Sequence, residues 1–331
     1  MSRPEEFSFT RYLAAKRGLD DRSLNRHVFN SLSQSLSAFS APGPLQVLEV
    51  GCGLGAMVER LLDWGLLRRG AVYKAIDLQP ENIAAARERL RAYAASRGYR
   101  VSEEEGVLCL KLRQGQRLFV VLEAIDLYDF IRREQGRQTW DLLIAHAFLD
   151  LVDLSATLPP LLSLLGERGL CYFTLNFDGA TIFLPYLDVE FDRQIEELYH
   201  QTMDQRQWQA WPSARSQTGR RLFHMLPAAG AQVLAAGSSD WVVHPGPGGY
   251  PADEAYFLHF IIHTVASALQ DHPHLPEDRF REWVDQRHRQ IEKGQLLYIA
   301  RQLDFLGYIN RGKIGTLPIF YYFFPAILGR S

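Results

Sequence analysis

The sequence has few cysteines, no excess of one charge and no long apolar run. Its three cysteines are scattered, which predicts reduced packing residues in a reducing, cytoplasmic compartment rather than a disulfide framework. A net charge of −2 offers no basic surface of the kind that binds nucleic acid. The first residues lack the apolar core of a signal peptide, and the apolar run 317–328 is short for a membrane span and interrupted by proline. We therefore expect neither nucleic acid nor a membrane as a partner.

The sequence does contain a glycine-rich turn directly after a short apolar run. Residues 45–50 predict a buried strand, and Gly51, Gly53 and Gly55 follow it, with a helix from about Ala56. Glycine permits positive φ and close approach of a ligand to the backbone, and the free N–H groups of a helix start point back into such a turn. A ligand is expected here, although a tight strand–helix turn without a ligand is the simpler alternative.

The spacing of these glycines separates two classes of nucleotide-binding protein. The dinucleotide fingerprint G-x-G-x-x-G places its third glycine inside the helix, whereas here the spacing is Gly-x-Gly-x-Gly, preceded by Glu49. This segment resembles motif I of the class I S-adenosylmethionine-dependent methyltransferases, of the bacterial small-molecule type. The resemblance implies S-adenosyl-L-methionine as cofactor and S-adenosyl-L-homocysteine as product. It assigns the amino-acid end of the cofactor to Glu49, while Cys52 contributes its backbone.

Further carboxylates follow the next predicted strands. The second strand ends at Asp77, followed by Leu78, and a carboxylate in this place can accept both ribose hydroxyls of S-adenosylmethionine or of NAD. The resemblance assigns the adenine amino group to Asp126, with Ile125 beside the ring. Asp126 is also a suitable N-cap for a helix over 127–134, and the two roles are compatible because they use different oxygens.

A histidine ends the segment that resembles the fourth strand of this family. The resemblance places Ala145 and His146 under the methionine end of the cofactor. The carboxyl ends of strands are where an open α/β sheet holds its reactive groups, and histidine titrates near neutrality. His146 is therefore the candidate catalytic residue, as a base for an acceptor hydroxyl or amine. The alternative is a ring that only hydrogen-bonds the loop, with catalysis by proximity alone.

Five residues outside the cofactor motifs are candidates for contact with the acceptor. They are Tyr12, Asn176, Arg220, Tyr256 and His259. Tyr256, His259 and His263 share one helix face, which either lines a pocket for a flat substrate or is simply the buried face. His259 and His263 also have the i, i+4 spacing of a zinc pair, but neither H-E-x-x-H nor a third ligand accompanies them, so no metal is predicted.

The resemblance implies a Rossmann-like α/β fold with a seven-stranded, mostly parallel sheet whose antiparallel last strand lies between strands five and six. We expect an N-terminal helical cap over 1–43 and a methyltransferase domain over 44–331, with a helical insertion at 240–293. The predicted activity is in-line methyl transfer to a small molecule. The alternatives are a nicotinamide-dependent oxidoreductase and a non-catalytic protein that retains the fold. The sequence leaves the methylated atom and the oligomeric state open.

Overall fold

A computed structural model describes residues 2–38, 43–67, 69–112, 115–205, 207–208, 211–212 and 216–310. The apolar run 317–328 lies outside the described residues. Within them, no helix combines the length and the apolar character needed to cross a bilayer.

The described residues form eleven α-helices and a short 3₁₀ helix at Leu149–Leu151. The α-helices are α1 (Phe9–Ala15), α2 (Arg17–Ser23), α3 (Arg26–Ala38), α4 (Ala56–Asp63), α5 (Pro80–Ser96), α6 (Leu127–Glu134), α7 (Leu154–Leu162), α8 (Val189–Gln205), α9 (Thr218–Ala228), α10 (Glu254–Leu269) and α11 (Glu277–Glu292). The strands are β1 (Leu45–Val50), β2 (Ala71–Asp77), β3 (Arg100–Glu104), β4 (Val107–Lys111), β5 (Arg117–Ala124), β6 (Trp140–His146), β7 (Leu165–Leu184), β8 (Gln207–Trp208), β9 (Trp211–Pro212), β10 (Ala231–Ser238), β11 (Trp241–Val243) and β12 (Leu297–Ile309).

The central sheet is mixed, and its described strands run in the order β10-β12-β7-β6-β1-β2-β5-β4-β3, with β11 paired to β12. The five strands from β7 to β5 are parallel. The last strand, β12, is antiparallel to both β7 and β10, and β3 and β4 are antiparallel additions at the opposite edge. An α/β fold is therefore confirmed, although the sheet has ten strands among the described residues rather than the seven predicted.

Strand β7 is much longer than the sequence predicts. The sequence predicts a strand over 170–175 with Asn176 directly after it, whereas β7 spans 20 residues and continues past Leu175. Leu175 has a φ of 55°, and the pairing between β7 and β12 shifts register at two places. These irregularities allow the two strands to stay paired beyond Leu175. Asn176 consequently lies within the strand rather than after it, which corrects the predicted position.

Three apolar cores surround the sheet and its extension. Alternate residues of the parallel strands pack under α3, α4 and α5 on one face, and under α6, α7 and α9 on the other. The third core joins the extended ends of β7 and β12 to α8, α10 and α11, and α1 and α2 contribute to it. The N-terminal helices thereby reach the carboxyl ends of the parallel strands, where the predicted site lies.

Candidate functional site

The glycine turn after β1 has the backbone that its sequence predicts. Gly51, Gly53 and Gly55 have φ values of 66°, 51° and 72°, in the left-handed region that favours glycine. A Cβ at Gly51 would lie 2.2 Å from Phe148 Cδ2, and one at Gly53 would lie 3.5 Å from Leu13 Cδ1. Phe148 and α1 therefore lie directly over the turn.

Asp77 organises the turn through its side chain. Its Oδ2 accepts a hydrogen bond from the Gly53 N–H at 2.9 Å, while Oδ1 accepts from the Gln79 N–H at 2.9 Å and from Asn82 Nδ2 at 3.0 Å. A carboxylate offers about four acceptor positions, so roughly one remains for a ligand hydroxyl. Accepting both ribose hydroxyls, as predicted, requires one of these three bonds to be exchanged.

Asp126 is the N-cap of α6, as one of its two predicted roles requires. Its Oδ1 accepts from the Tyr128 N–H at 2.8 Å and the Asp129 N–H at 3.3 Å. Among the residues that the structure describes, no hydrogen bond engages Asp126 Oδ2. The Ile125 N–H donates to the Asp77 carbonyl at 2.9 Å, so the two carboxylate-bearing segments adjoin. The adenine role of Asp126 stays a prediction.

Glu49 is a buried carboxyl group on the same sheet face as α4. It is 2% exposed, and its Oε2 accepts a hydrogen bond from Tyr73 Oη at 2.8 Å. Burial raises the pKa of Glu49 to about 8, against the opposing effects of the Tyr73 hydrogen bond and the Arg60 charge. Near neutral pH the carboxyl group is therefore mostly protonated.

Replacing Glu49 with glutamine is expected to make the protein less sensitive to rising pH. The folded-state pKa of about 8 exceeds the ordinary value of 4.5, so the folded protein binds the extra proton between these pH values. The stabilisation that this proton provides is therefore lost as pH rises between these values. Relative to wild type, the free energy of unfolding of the variant rises by up to about 1.4 kcal/mol per pH unit. Urea unfolding from pH 5 to 8 measures this, with exposed Glu167→Gln as control. A pH-independent difference between variant and wild type contradicts the assignment.

His146, the candidate catalytic residue, ends β6 with a side chain only 10% exposed. Its Nδ1 lies 2.8 Å from Thr174 Oγ1, and its Nε2 lies 2.9 Å from Arg60 Nη1. Nε2 also lies 3.2 Å from Asp20 Oδ2, so this nitrogen faces both a guanidinium donor and a carboxylate acceptor. Burial and then the Arg60 charge lower the pKa of His146 to about 4. Base catalysis by His146 stays a prediction, and it requires Arg60 to release Nε2.

A buried ion cluster of Lys16, Asp20, Arg60 and His146 holds α2 against α4 and the end of β6. Asp20, 2% exposed, lies 3.0 Å from Lys16 Nζ and 3.5 Å from Arg60 Nη2. Trp241 Nε1 donates to Asp20 Oδ1 at 3.1 Å. Burial alone would raise the pKa of Asp20, but Lys16, His146 and Arg60 together lower it. Neither Asp20 nor Arg60 belongs to a motif that the sequence shows, so their place in this cluster emerges only from the fold.

The predicted aromatic and histidine stripe of α10 is enclosed. Tyr256 and His259 are each 0% exposed. Tyr256 Oη accepts from the Ser8 N–H at 2.7 Å, and His259 Nδ1 lies 2.8 Å from His288 Nδ1. In the structure, Tyr256 and His259 therefore belong to the buried face of α10, which was the second of the two alternatives. Tyr12 packs against the same helix, its ring stacked on that of Phe260 with centroids 4.3 Å apart.

Asn176 and Arg220 lie near each other at the start of α9. Asn176 is 0% exposed, and its Nδ2 donates to the Leu303 carbonyl at 2.8 Å, whereas its Oδ1 has no hydrogen-bond partner within the described ranges. Arg220 Nε donates to Asp178 Oδ1 at 2.8 Å. The start of α9 packs closely here, because a Cβ at Gly219 would lie 2.9 Å from the Asn176 carbonyl oxygen. Contact of either residue with an acceptor stays a prediction.

Comparison with known proteins finds similarity in solved structures alone. No protein-family model matches the chain, and no curated protein matches it in sequence. A candidate methyltransferase from Bacillus halodurans has 10% sequence identity and a TM-score of 0.45, over 85% of this chain and 99% of that chain. The cyclopropane synthase MmaA2 from Mycobacterium tuberculosis has 9% identity and a TM-score of 0.40, over 92% and 100%. The [4+2]-cyclase SpnF has 16% identity and a TM-score of 0.36, over 85% and 80%.

These matches concern the fold. The case for an activity rests on the residues of the site.

Proposed function

We propose that the protein transfers the methyl group of S-adenosylmethionine to a small-molecule acceptor. The observation that carries the proposal is a row of three carboxyl groups beside the glycine turn. Glu49 is on β1, Asp77 ends β2 and Asp126 follows β5, and these three strands are parallel neighbours. Their carboxyl ends form one edge of the sheet, which is where ligands of open α/β sheets bind.

The groups at this edge suit a nucleoside linked to an amino acid. Asp77 retains an acceptor position for a ribose hydroxyl, and Asp126 Oδ2 is available to the adenine amino group. Glu49, Gly51 and Cys52 lie in the segment to which the resemblance assigns the amino-acid end of the cofactor. Leu13 and Phe148 lie over the turn.

Methyl transfer makes modest chemical demands on the chain. When bound, the cofactor supplies an electrophilic methyl group on a sulfonium centre. The protein must align a nucleophile behind that methyl group and exclude water, and orientation alone can supply much of the rate. A base is needed only if the acceptor is protonated at the working pH. The Arg60 contact and a pKa of about 4 make His146 a weak base, which favours catalysis by orientation.

A thermal-shift comparison tests the class of cofactor. S-adenosylhomocysteine is expected to raise the melting temperature and NAD to leave it unchanged. The reverse result would support the nicotinamide-dependent alternative, which the glycine spacing argues against. Transfer of a labelled methyl group to a component of a cell extract would then exclude a non-catalytic protein. Stabilisation by neither ligand contradicts the proposal.

Asp126 is expected to make the site prefer adenine over hypoxanthine. If Oδ2 accepts the adenine amino group, S-adenosylhomocysteine binds about tenfold more tightly than S-inosylhomocysteine, the worth of one hydrogen bond to a charged group. Asp126→Asn should remove most of this preference while keeping the cap of α6, since asparagine is an equally good N-cap. Exposed Asp129→Asn, on the same helix, is the matched control. Calorimetric titration measures both ligands, and an unchanged preference in Asp126→Asn excludes the adenine role.

A further inference from the structure

The edge strand β3 is exposed along its whole length. All five of its residues, Arg-Val-Ser-Glu-Glu, are exposed, and its single partner in the sheet is β4. Glu105 and Gly106 form the turn of this hairpin, with φ values of 49° and 81°. An open strand edge is a template for pairing with another strand, and proteins often protect it with charged side chains. Here the charges differ in sign at the two ends.

The hairpin register shows which backbone groups are open. Glu104 and Val107 flank a two-residue turn and therefore form a hydrogen-bonded pair, after which such pairs alternate along the strands. The N–H and C=O groups of residues 100, 102 and 104 thus point to β4. Those of Val101 and Glu103 point away from the sheet.

The side chains of β3 divide between two faces. Glu103 forms ion pairs with Arg87 and Arg91 of α5, so the side chains of Val101 and Glu103 lie on the α5 face. Arg100 and Glu104 lie on the opposite face. Among the described residues, neither of these two forms an ion pair.

We infer that β3 pairs antiparallel with β3 of a second copy of this chain, with Ser102 on the twofold axis. In this register Val101 of each copy is opposite Glu103 of the other, and their outward backbone groups exchange four hydrogen bonds. Arg100 of each copy is opposite Glu104 of the other. These are non-hydrogen-bonded positions, where side chains approach most closely, so two symmetric ion pairs form. The strand is therefore complementary in charge to itself.

The surface next to β3 also offers area for the proposed contact between two copies. A shallow depression of about 440 Å³ lies between α5 and β3. Its lining residues are Arg91, Ala95, Tyr99, Val101, Ser102 and Glu103. The interface remains small, so the dimer forms in a concentration-dependent manner. The inference is independent of the proposed methyl transfer.

Charge exchange across the twofold axis tests this register. Glu104→Arg places arginine opposite Arg100, and Arg100→Glu places glutamate opposite Glu104. Each single variant is expected to weaken dimerisation by roughly tenfold, because like charges directly opposite are destabilising. The double variant, Arg100→Glu with Glu104→Arg, should restore it. Glu167→Arg, an exposed strand glutamate elsewhere, is the matched control and should leave the dimer unchanged.

Sedimentation equilibrium of the full chain over a concentration series measures each dissociation constant. Hydrogen exchange provides a second readout, since the Val101 and Glu103 amides should become protected as wild-type concentration rises. A monomeric wild type up to its solubility limit overturns the inference. So does a dimer that both single variants retain, or a failure of the double variant to recover. Unchanged circular dichroism of each variant shows that the chain remains folded.

Discussion

Replacing Gly51 with alanine is expected to lower the free energy of unfolding by about 2–4 kcal/mol and to abolish binding of S-adenosylhomocysteine. Its φ of 66° is unfavourable for alanine. The new Cβ would also lie 2.2 Å from Phe148 Cδ2 and 2.8 Å from its Cγ, so the ring must move. Urea unfolding and calorimetric titration measure the two effects.

Gly18→Ala is the matched control for this variant. Gly18 lies within α2, outside the left-handed region, and a Cβ there meets no atom within 4 Å. Alanine is the better helix former, so this variant should be neutral or up to about 1 kcal/mol more stable. A Gly51→Ala protein that matches Gly18→Ala in stability and still binds the ligand would show that the turn does not require glycine.

Asp20→Ala is expected to destabilise the protein by about 3–5 kcal/mol, because removing one partner of a buried ion pair leaves the others uncompensated. Lys16 and Arg60 are 9% and 2% exposed at their side chains, and both face this carboxylate. Trp241 Nε1 would lose its acceptor as well. Denaturant unfolding at pH 7 measures the loss.

Asp21→Ala is the control, since Asp21 binds the same arginine from the protein surface. Its Oδ1 lies 2.5 Å from Arg60 Nε, but its side chain is 42% exposed. Arg60 keeps Asp20 as a carboxylate partner after this change, and Asp21 is partly solvated, so the loss should be smaller than that of Asp20→Ala. If both variants lost the same free energy of unfolding, burial of Asp20 would not explain its contribution to stability.

The elements that the sequence predicts well are those with strong local signals. Residues 45–50 and 71–77 are short, mostly apolar runs bounded by turns, and β1 and β2 have these bounds. Strand β6 begins at Trp140, one residue before Asp141, where the sequence predicts its start. The α6 helix begins after its N-cap Asp126, as predicted. Strands that are buried on both faces are rich in apolar residues, so their composition alone identifies them.

The elements that the sequence misses depend on long-range pairing. Strand β3 has no apolar alternation because all its residues are exposed, so no periodic signal exists. The continuation of β7 beyond Leu175 depends on its partner β12, more than 100 residues later in the chain. β-structure of this kind is decided by tertiary context.

Some residues of the candidate site are likewise predictable from local sequence, whereas others depend on long-range contacts. The glycine turn and its carboxylates follow from local spacing, and the structure brings them to one edge of the sheet. The contact between Asp20 and His146 joins positions 126 residues apart, so neither the enclosure of His146 nor its lowered pKa is visible in the sequence. The sequence could not decide whether the α10 stripe lines a pocket or is a buried face. Helical spacing identifies the inward face of a helix but not the groups that pack on it.

The attachment of the first helices to late segments has a consequence for biosynthesis. Ser8 and Asp20 hydrogen-bond Tyr256 and Trp241, partners 248 and 221 positions further along the chain. A nascent polypeptide emerging from the ribosome therefore exposes α1 and α2 without their docking surface until most of the chain has been translated. Such distant pairing slows folding and prolongs the exposure of apolar side chains, so expression at reduced temperature or with chaperones should increase the yield of folded protein.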